Sequence, residues 1–275
     1  MGSDLPKIGL ALSGGAARGM AHVGVLRALL ENDIRIDCVA GTSAGSIVAG
    51  AFASGMTIDE ITDFGRQLRW RDIGRVTMSR LGIQSNERLE QYLRARLPIT
   101  KFEEMPIPFA AIATDLATGG PVVMKDTGDV PFAIRASCTI PGWYVPVLDQ
   151  EGRQLVDGGL VAVIPSTFTR ALGADIVIAV DVNSEGATFI TPSSSVIGVL
   201  LQSMMVVQKT ASRHQLEMAD FVISPKIGHI RWDEMGRADE LIEAGYQVGL
   251  ESISGIRTLV ESVHDKETER AQMLV

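Results

Sequence analysis

The pentapeptide Gly41-Thr42-Ser43-Ala44-Gly45 is the part of this sequence that most directly suggests chemistry. It follows a short apolar run and precedes a stretch of helical spacing, so it predicts a serine at a turn between a strand and a helix. Glycines at both ends of a G-x-S-x-G turn allow the sharp bend that lifts the serine out of the sheet. The helix N-terminus also favours a developing negative charge. Ser43 is therefore a candidate nucleophile, although a plain tight turn with Ser43 as N-cap fits the same pattern.

A second turn of small residues lies earlier in the chain, at Ser13-Gly14-Gly15-Ala16-Ala17-Arg18-Gly19. Such residues leave backbone N–H groups unshielded, so the segment around Gly14, Gly15 and Ala16 could cradle a phosphate or form an oxyanion hole. It has neither the Gly-Lys-Ser/Thr ending of a Walker loop nor the spacing of a dinucleotide-binding loop. A plain glycine-rich loop, with Arg18 as a surface charge or ion-pair partner, is the alternative.

Asp157 is a candidate proton acceptor because it follows a short apolar strand and precedes Gly158 and Gly159. Two glycines after an aspartate permit backbone conformations closed to other residues and keep bulk away from the carboxylate. An Asp-Gly turn without any chemistry is a common alternative.

The histidines, His22, His214, His229 and His264, bear on whether a third catalytic group exists. The last three satisfy the chain order Ser, Asp, His of a conventional triad, and His229 has the most suitable loop position. A direct Ser–Asp pair meets the difficulty that a free aspartate, with a pKa of about 3.9, accepts a hydroxyl proton poorly. Burial beside apolar groups would raise that pKa and improve the match. Both schemes are compatible with the residues.

Strands and helices are predicted to alternate around these motifs, which is typical of α/β folds with a parallel sheet. Apolar runs predict strands over 7–13, 36–40, 108–114, 121–124, 155–156, 175–182 and 221–224. Helical spacing predicts helices over 18–31, 47–52, 57–70, 86–97, 195–218 and 237–263, the third opened by a capping box at Thr57 to Glu60. Loops are expected near 71–85, 115–129 and 183–195. No repeat or low-complexity linker is seen, so we predict one domain over residues 1–275, with the last dozen residues frayed.

Composition excludes several classes of function. A net charge of −8 argues against general nucleic-acid binding and against tight adsorption to anionic membranes, although transient contact through apolar surface stays open. No stretch approaches the 18 or so apolar residues of a membrane span, and no secretory signal is recognisable at the N-terminus. Cys38 and Cys138 are too few for a disulfide framework, and no metal-ligand motif is present. We therefore expect a cytoplasmic protein without metal or other cofactor.

Taken in order, the small-residue loop, the G-x-S-x-G turn and the distal D-G-G resemble the signature of patatin-like phospholipases, most closely the compact bacterial branch. The resemblance extends over about residues 7–250 and includes the segments 132–142, 157–165 and 237–245. It implies an α/β fold, a single-domain three-layer sandwich with a mostly parallel central sheet and helices on both faces. Many family members have glycine where this chain has Ala16, which matters only if that position needs a positive φ.

The resemblance also implies roles for individual residues. Ser43 would be the nucleophile and Asp157 the general base. The N–H groups of the Gly14, Gly15 and Ala16 loop would form the oxyanion hole, with Arg18 supporting the loop or the charge beside it.

The implied activity is hydrolysis of carboxylic esters of lipids, of the phospholipase A or lysophospholipase type, through an acyl-enzyme. Its substrate partner would be a lipid or other acyl ester, reached by a protein that is cytoplasmic or peripherally membrane-associated. Two alternatives remain open: a Ser–His acyltransferase or conventional esterase, and a regulatory or scaffold relative that acts through partner binding.

Overall fold

The computed structural model describes residues 5–184 and 195–273, in which strands and helices alternate along the chain. The strands are β1 Ile8–Leu12, β2 Cys38–Thr42, β3 Arg75–Val76, β4 Gly82–Ser85, β5 Phe109–Asp115, β6 Pro121–Met124, β7 Gly142–Tyr144, β8 Val147–Leu148, β9 Gln154–Asp157, β10 Ile176–Val180 and β11 Phe221–Ile223. The α-helices are α1 Met20–Glu31, α2 Ala44–Ala53, α3 Ile58–Gln67, α4 Trp70–Ile73, α5 Glu87–Arg94, α6 Val130–Ser137, α7 Ser166–Ala171, α8 Val196–Glu217 and α9 Ala238–Met273. Single 3₁₀ turns cover Ala16–Gly19, Phe102–Glu104, Gly158–Leu160 and Met235–Arg237.

The central sheet has the strand order β11-β10-β1-β2-β5-β9-β8, with β6 also paired to β5. The strands from β11 to β5 run parallel, β6 and β9 pair antiparallel with β5, and β8 pairs antiparallel with β9. A separate small sheet has the order β3-β4-β7. The predicted α/β fold with a mostly parallel sheet is confirmed.

Both faces of the parallel strands are buried, as strand sequences without polar alternation require. In β1, Leu10 and Leu12 belong to the large core that also contains residues of α1, α2 and α9, whereas Ala11 belongs to a smaller cluster on the other face. The strand β10 divides in the same way, because Ile178 packs in the large core and Val177 in the smaller cluster. The sheet is therefore the middle of three layers.

Strand register brings Ser43 and Asp157 to the same height in the sheet. Thr42, at the end of β2, is opposite Ile112 of β5, and the next residue of β5, Ala113, is opposite Asp157 at the end of β9. Ser43 and Asp157 therefore flank β5 from its two sides. Because β9 runs antiparallel to β5, its last residue, Asp157, lies opposite Ala113.

Most predicted elements are present, and the differences have physical reasons. The Thr57 capping box opens α3, with Thr57 N–H donating to Glu60 at 2.8 Å. The segment near 71–85, predicted as a loop, instead contains most of α4 and the strands β3 and β4. The two strands are short and lack the apolar run from which a strand is predicted. The helix α9 extends to Met273, ten residues beyond the predicted end, because its polar extension consists largely of good helix formers. Most of the loop predicted over 183–195 lies outside the described residues.

Candidate active site

Ser43 has the strained backbone of a nucleophile elbow, with φ 52° and ψ −125° at the junction of β2 and α2. The neighbouring chain leaves no space for side chains at the two flanking glycines. A Cβ on Gly41 would lie 2.4 Å from the carbonyl oxygen of Gly45, and one on Gly45 would lie 2.2 Å from the carbonyl oxygen of Leu12. Gly41 and Gly45 are thus required by close backbone approach, which is the physical content of the G-x-S-x-G pattern.

Ser137, at the end of α6, holds the elbow in place and is a residue that the sequence reasoning missed. The backbone N–H of Ser43 donates to Ser137 Oγ at 2.9 Å, and Ser137 Oγ donates to the carbonyl of Ile112 at 2.5 Å. The hydroxyl therefore links the elbow to β5. A serine near the end of a helix carries no local signal of such a role.

The hydroxyl of Ser43 lies beside the carboxyl of Asp157 in the same cavity and favours its ionised form. Asp157 is only 4% exposed, and its Oδ1 accepts from the N–H of Gly159 at 2.7 Å. Burial raises the pKa of Asp157 to about 6, against the lowering effects of the Ser43 hydroxyl and the Gly159 N–H. Gly158 is required here because its Cβ would lie 2.1 Å from the carbonyl oxygen of Ile112.

The small-residue loop offers two free donors beside Ser43. The N–H of Gly14 is already used, because it donates to the carbonyl of Val163 at 2.9 Å. Gly14 therefore shapes the loop without offering a free donor. In the described part of the chain no acceptor is found for the N–H of Gly15 or of Ala16, and both residues line the same cavity as Ser43. Ala16 has φ 48°, so this chain places alanine where glycine is favoured.

Arg18 is buried beneath this loop, with a relative exposure of 1%, which excludes the surface-charge alternative. Its Nε donates to the carbonyl of Ile230 at 2.8 Å and its Nη2 to that of Gly228 at 3.4 Å. Close by, the N–H of Ala17 donates to the carbonyl of Trp232 at 2.9 Å. Arg18 thus ties the loop to the 228–232 segment, which fits a supporting role.

The hydrogen bonds found for three of the histidines lead away from Ser43 and Asp157. His22 is buried and its Nε2 is 2.8 Å from the carbonyl oxygen of Ser13, and burial lowers its pKa to about 4. His214 pairs with Glu217 and His229 with Glu240, both at exposed positions.

His264 lies far along α9, about 39 Å of helix axis beyond Ala238. In the described residues no imidazole is found in hydrogen-bond contact with Ser43 or Asp157.

Two cavities meet at Ser43. The larger, of about 280 Å³, also contains Asp157 and the Gly14–Ala16 loop and includes the charged residues Asp181, Lys209 and Asp233 in its wall. The smaller, of about 80 Å³, is lined by α1, α2, α3 and neighbouring segments, and it shares Ala16, Ser43, Trp70 and Ile140 with the larger one.

All three tryptophans of the chain line the larger cavity, namely Trp70, Trp143 and Trp232. Trp70 and Trp232 contact each other edge to face, with ring centroids 6.0 Å apart. The three residues come from remote segments, so only the fold brings them together. Their rarity in a chain with 5% aromatic residues is the one signal that could have singled them out.

Metal-ligand clusters and membrane-spanning helices are both absent from the described residues. No cluster of three or more His, Cys, Asp or Glu side chains suitable for a metal ion is found there. None of the described helices is long and apolar enough to cross a bilayer.

Comparison with known proteins gives consistent matches. The family model described as patatin-like phospholipase matches residues 10–167, more than half of the chain. An uncharacterized NTE family protein of Mycobacterium tuberculosis is 38% identical over 189 residues, 68% of this chain and 52% of that protein. The lysophospholipase NTE1 of Mycosarcoma maydis is 38% identical over 185 residues, 64% of this chain and 10% of that protein.

Similarity to solved structures supports the fold. The crystal structure of VipD from Legionella pneumophila matches with a TM-score of 0.55 over 91% of this chain and 67% of that chain, at 14% identity. The chain spans about half the length, or less, of the curated relatives it matches.

Proposed function

The chain belongs to the patatin-like phospholipase family, and we propose that it is a serine acyl-hydrolase that cleaves carboxylic esters of lipids. Phospholipase A and lysophospholipase activities are the types that this assignment covers. The observation that carries the proposal is that Ser43 and the buried Asp157 line one cavity together with Gly15 and Ala16. A relative described as a lysophospholipase supports the substrate class, although this chain spans only 10% of that protein.

The proposed chemistry begins with attack of Ser43 Oγ on the ester carbonyl carbon while its proton passes to Asp157. The oxyanion that forms accepts hydrogen bonds from the free N–H groups of Gly15 and Ala16. Collapse of this intermediate breaks the ester bond, and the proton on Asp157 goes to the departing alcohol. The acyl group is then covalently attached to Ser43.

Hydrolysis of this acyl-enzyme repeats the steps with water in place of the alcohol. Asp157 takes a proton from the water, which attacks the acyl carbon, and the proton returns to Ser43 as the carboxylic acid departs. A pKa of about 6 supports this double role for Asp157, because a base is most effective when its pKa is near the working pH.

Replacement of the nucleophile tests the proposal. Ser43→Ala should lower hydrolysis of a short p-nitrophenyl ester by at least about 10³-fold, because no other group carries the acyl intermediate. Ser54→Ala is a matched control, since Ser54 is a buried serine at the other end of α2 whose hydroxyl donates to the carbonyl of Ala51. Hydrolysis that survives in Ser43→Ala above about a tenth of the wild-type rate overturns the assignment.

A Ser–His mechanism is the enzymatic alternative. His22, His214, His229 and His264 should each tolerate replacement by Gln with most activity retained. A folded histidine variant with activity reduced by about 10³-fold would instead support a triad. A scaffold role is favoured over catalysis only if wild-type protein hydrolyses no ester and a fluorophosphonate probe leaves Ser43 unlabelled.

We further propose that α8 contacts the lipid surface from which substrate enters. Its inner face lines the larger cavity with Leu201, Met204 and Met205. Its outer face exposes apolar side chains that no described residue covers, namely Val196, Val199, Leu200, Val206 and Val207. Over residues 196–207 this helix therefore presents apolar side chains to both the cavity and solvent, which suits the boundary between a lipid layer and the site.

A further inference from the structure

We infer that the smaller cavity binds the acyl chain of the substrate and that its size selects short and medium chains. The inference rests on the proposed function, and it adds which of the two cavities takes the acyl chain of the ester. Ser43 and Ala16 line both cavities, so a carbonyl carbon bound beside Ser43 and the N–H of Ala16 lies at their boundary. The acyl chain and the alcohol part of the ester would then extend into different cavities, one on each side of Ser43.

The chemistry of the two walls decides which substituent goes where. In the described part of the chain no charged side chain lines the smaller cavity, whose wall is built mainly from apolar residues such as Val23, Val48, Ile61 and Leu89. Burial of each methylene there is favourable by about 0.8 kcal/mol. A phosphate group would lose its hydration in such a cavity without meeting a cationic side chain among the described residues.

The larger cavity suits the alcohol part of the substrate. Asp181, Gln208, Lys209 and Asp233 are in its wall and provide both hydrogen-bond donors and acceptors. The position of Gln208 is close to the catalytic pair, because a Cβ on Gly159 would lie 2.6 Å from its Nε2. The larger cavity therefore provides polar partners, beside its apolar residues, on the side of Ser43 from which the alcohol would depart.

The size of the smaller cavity sets a limit on the acyl chain. Its volume of about 80 Å³ has room for about three to six water-sized groups, so we expect the best acyl chains to have about four to eight carbons. Met20 and Met235 in the wall are flexible side chains that can adjust to chains within this range.

The experiment compares hydrolysis of p-nitrophenyl butyrate and decanoate by variants of the full chain. Leu89→Ala enlarges the cavity and should raise the decanoate-to-butyrate ratio of kcat/KM by about tenfold or more, at about fourfold per methylene accommodated. Leu93→Ala is the matched control, because Leu93 is on the same helix, is equally buried, and does not line either cavity. It should leave the ratio unchanged, and a ratio is insensitive to loss of folded protein.

A smaller change keeps the test decisive if both leucine variants fail to fold. Val48→Ile adds one methyl group to the cavity wall and should lower the same ratio by about fourfold. Val25→Ile is its control, since Val25 is a buried valine of α1 outside both cavities.

The failures of the two proposals are distinguishable. Absence of any Ser43-dependent hydrolysis of p-nitrophenyl acetate contradicts the proposed function itself. Hydrolysis of acetate combined with an unchanged ratio in Leu89→Ala and Val48→Ile overturns the acyl-cavity inference alone. A ratio that responds to Met205→Ala, in the wall of the larger cavity, and not to Leu89→Ala would place the acyl chain there and also overturn it.

Discussion

Ser43 faces the same cavity as Asp157, a buried carboxyl whose pKa burial has raised to about 6. The two residues flank β5 at the same height, because β2 and β9 approach this strand from opposite sides and in opposite directions. A carboxylate held in this way is a stronger base than an exposed aspartate. Burial of the ionised carboxylate also lowers the stability of the folded protein. The position of Asp157 should therefore affect both the reaction rate and the free energy of unfolding.

The pH dependence of the rate should follow ionisation of Asp157. The proposed base acts only when deprotonated, so kcat/KM for a soluble ester should fall about tenfold per pH unit below its folded-state pKa. The acid limb is expected near pH 6, rather than near pH 4 as for an ordinary aspartate. Initial rates after brief incubation at each pH, with recovery at pH 7, separate titration from acid unfolding. A limb near pH 4 would contradict the raised pKa.

Asp157→Asn should stabilise the fold while it abolishes turnover. A carboxyl whose pKa rises from about 3.8 to about 6 on folding binds its proton more tightly in the folded state. Its contribution to stability is therefore present below about pH 4 and is lost as pH rises through about 6. At pH 7 the ionised form costs about 2–3 kcal/mol, and asparagine avoids that cost.

Denaturant unfolding at two pH values measures this effect. The difference in free energy of unfolding between Asp157→Asn and wild type should be largest above pH 6 and should vanish near pH 4. A gain in stability of the same size at both pH values would show that the carboxylate charge is not its source.

The Gly15 loop should be sensitive to displacement. A Cβ on Gly15 would lie 2.4 Å from Cγ2 of the buried Val182, so we expect Gly15→Ala to displace the loop and its N–H groups. If these groups stabilise the oxyanion, kcat should fall by about 10²-fold or more with little change in KM.

Val182→Ala tests whether the steric contact is the cause. The double variant Gly15→Ala, Val182→Ala restores space for the new methyl group and should recover much of kcat, while Val182→Ala alone should be nearly normal. A loss in Gly15→Ala that appears in KM and leaves kcat unchanged would assign the loop to ground-state binding instead.

The motif residues could be predicted from the sequence because their roles are dictated by the local backbone. Gly41, Gly45 and Gly158 each lie where a Cβ would meet a carbonyl oxygen, so the pattern of glycines itself encodes the two turns. The strands and helices around them could be predicted for a similar reason, since periodicity is local. Ser137 could not be predicted, because its contact with the Ser43 N–H depends on how α6 packs on β5.

The burial of Arg18 and the formation of the two cavities could not be predicted from the sequence either. Arg18 is buried because the carbonyls of Gly228 and Ile230, more than 200 residues away, accept its hydrogen bonds. The two cavities are formed by residues from many elements, so neither has a sequence signature. The exposed apolar side chains of α8 could not be predicted either, because helical spacing alone does not show which faces of a helix other elements cover.

Binding to lipid vesicles should depend on the outer face of α8. Leu200, Val206 and Val207 are 63%, 60% and 65% exposed, and the cavity residues Leu201 and Met205 are their neighbours in sequence. Replacing the three exposed residues by Ser removes apolar surface without touching the cavity wall. We expect co-sedimentation with phosphatidylcholine vesicles to fall by about tenfold or more, since each buried apolar side chain contributes about 1.5–3 kcal/mol.

Hydrolysis of a soluble and of a vesicular substrate shows whether a loss of vesicle binding in the triple variant comes from lost membrane contact or from a damaged site. Hydrolysis of p-nitrophenyl butyrate should be unchanged within about twofold in this triple variant, whereas hydrolysis of vesicular phospholipid should fall with binding. Val222→Ser, at a 41% exposed position on the edge strand β11, is the control and should alter neither. If the triple variant binds vesicles as well as wild type does, the lipid surface contacts another part of the protein. If it loses both activities together, α8 supports the folded site rather than the approach to the membrane.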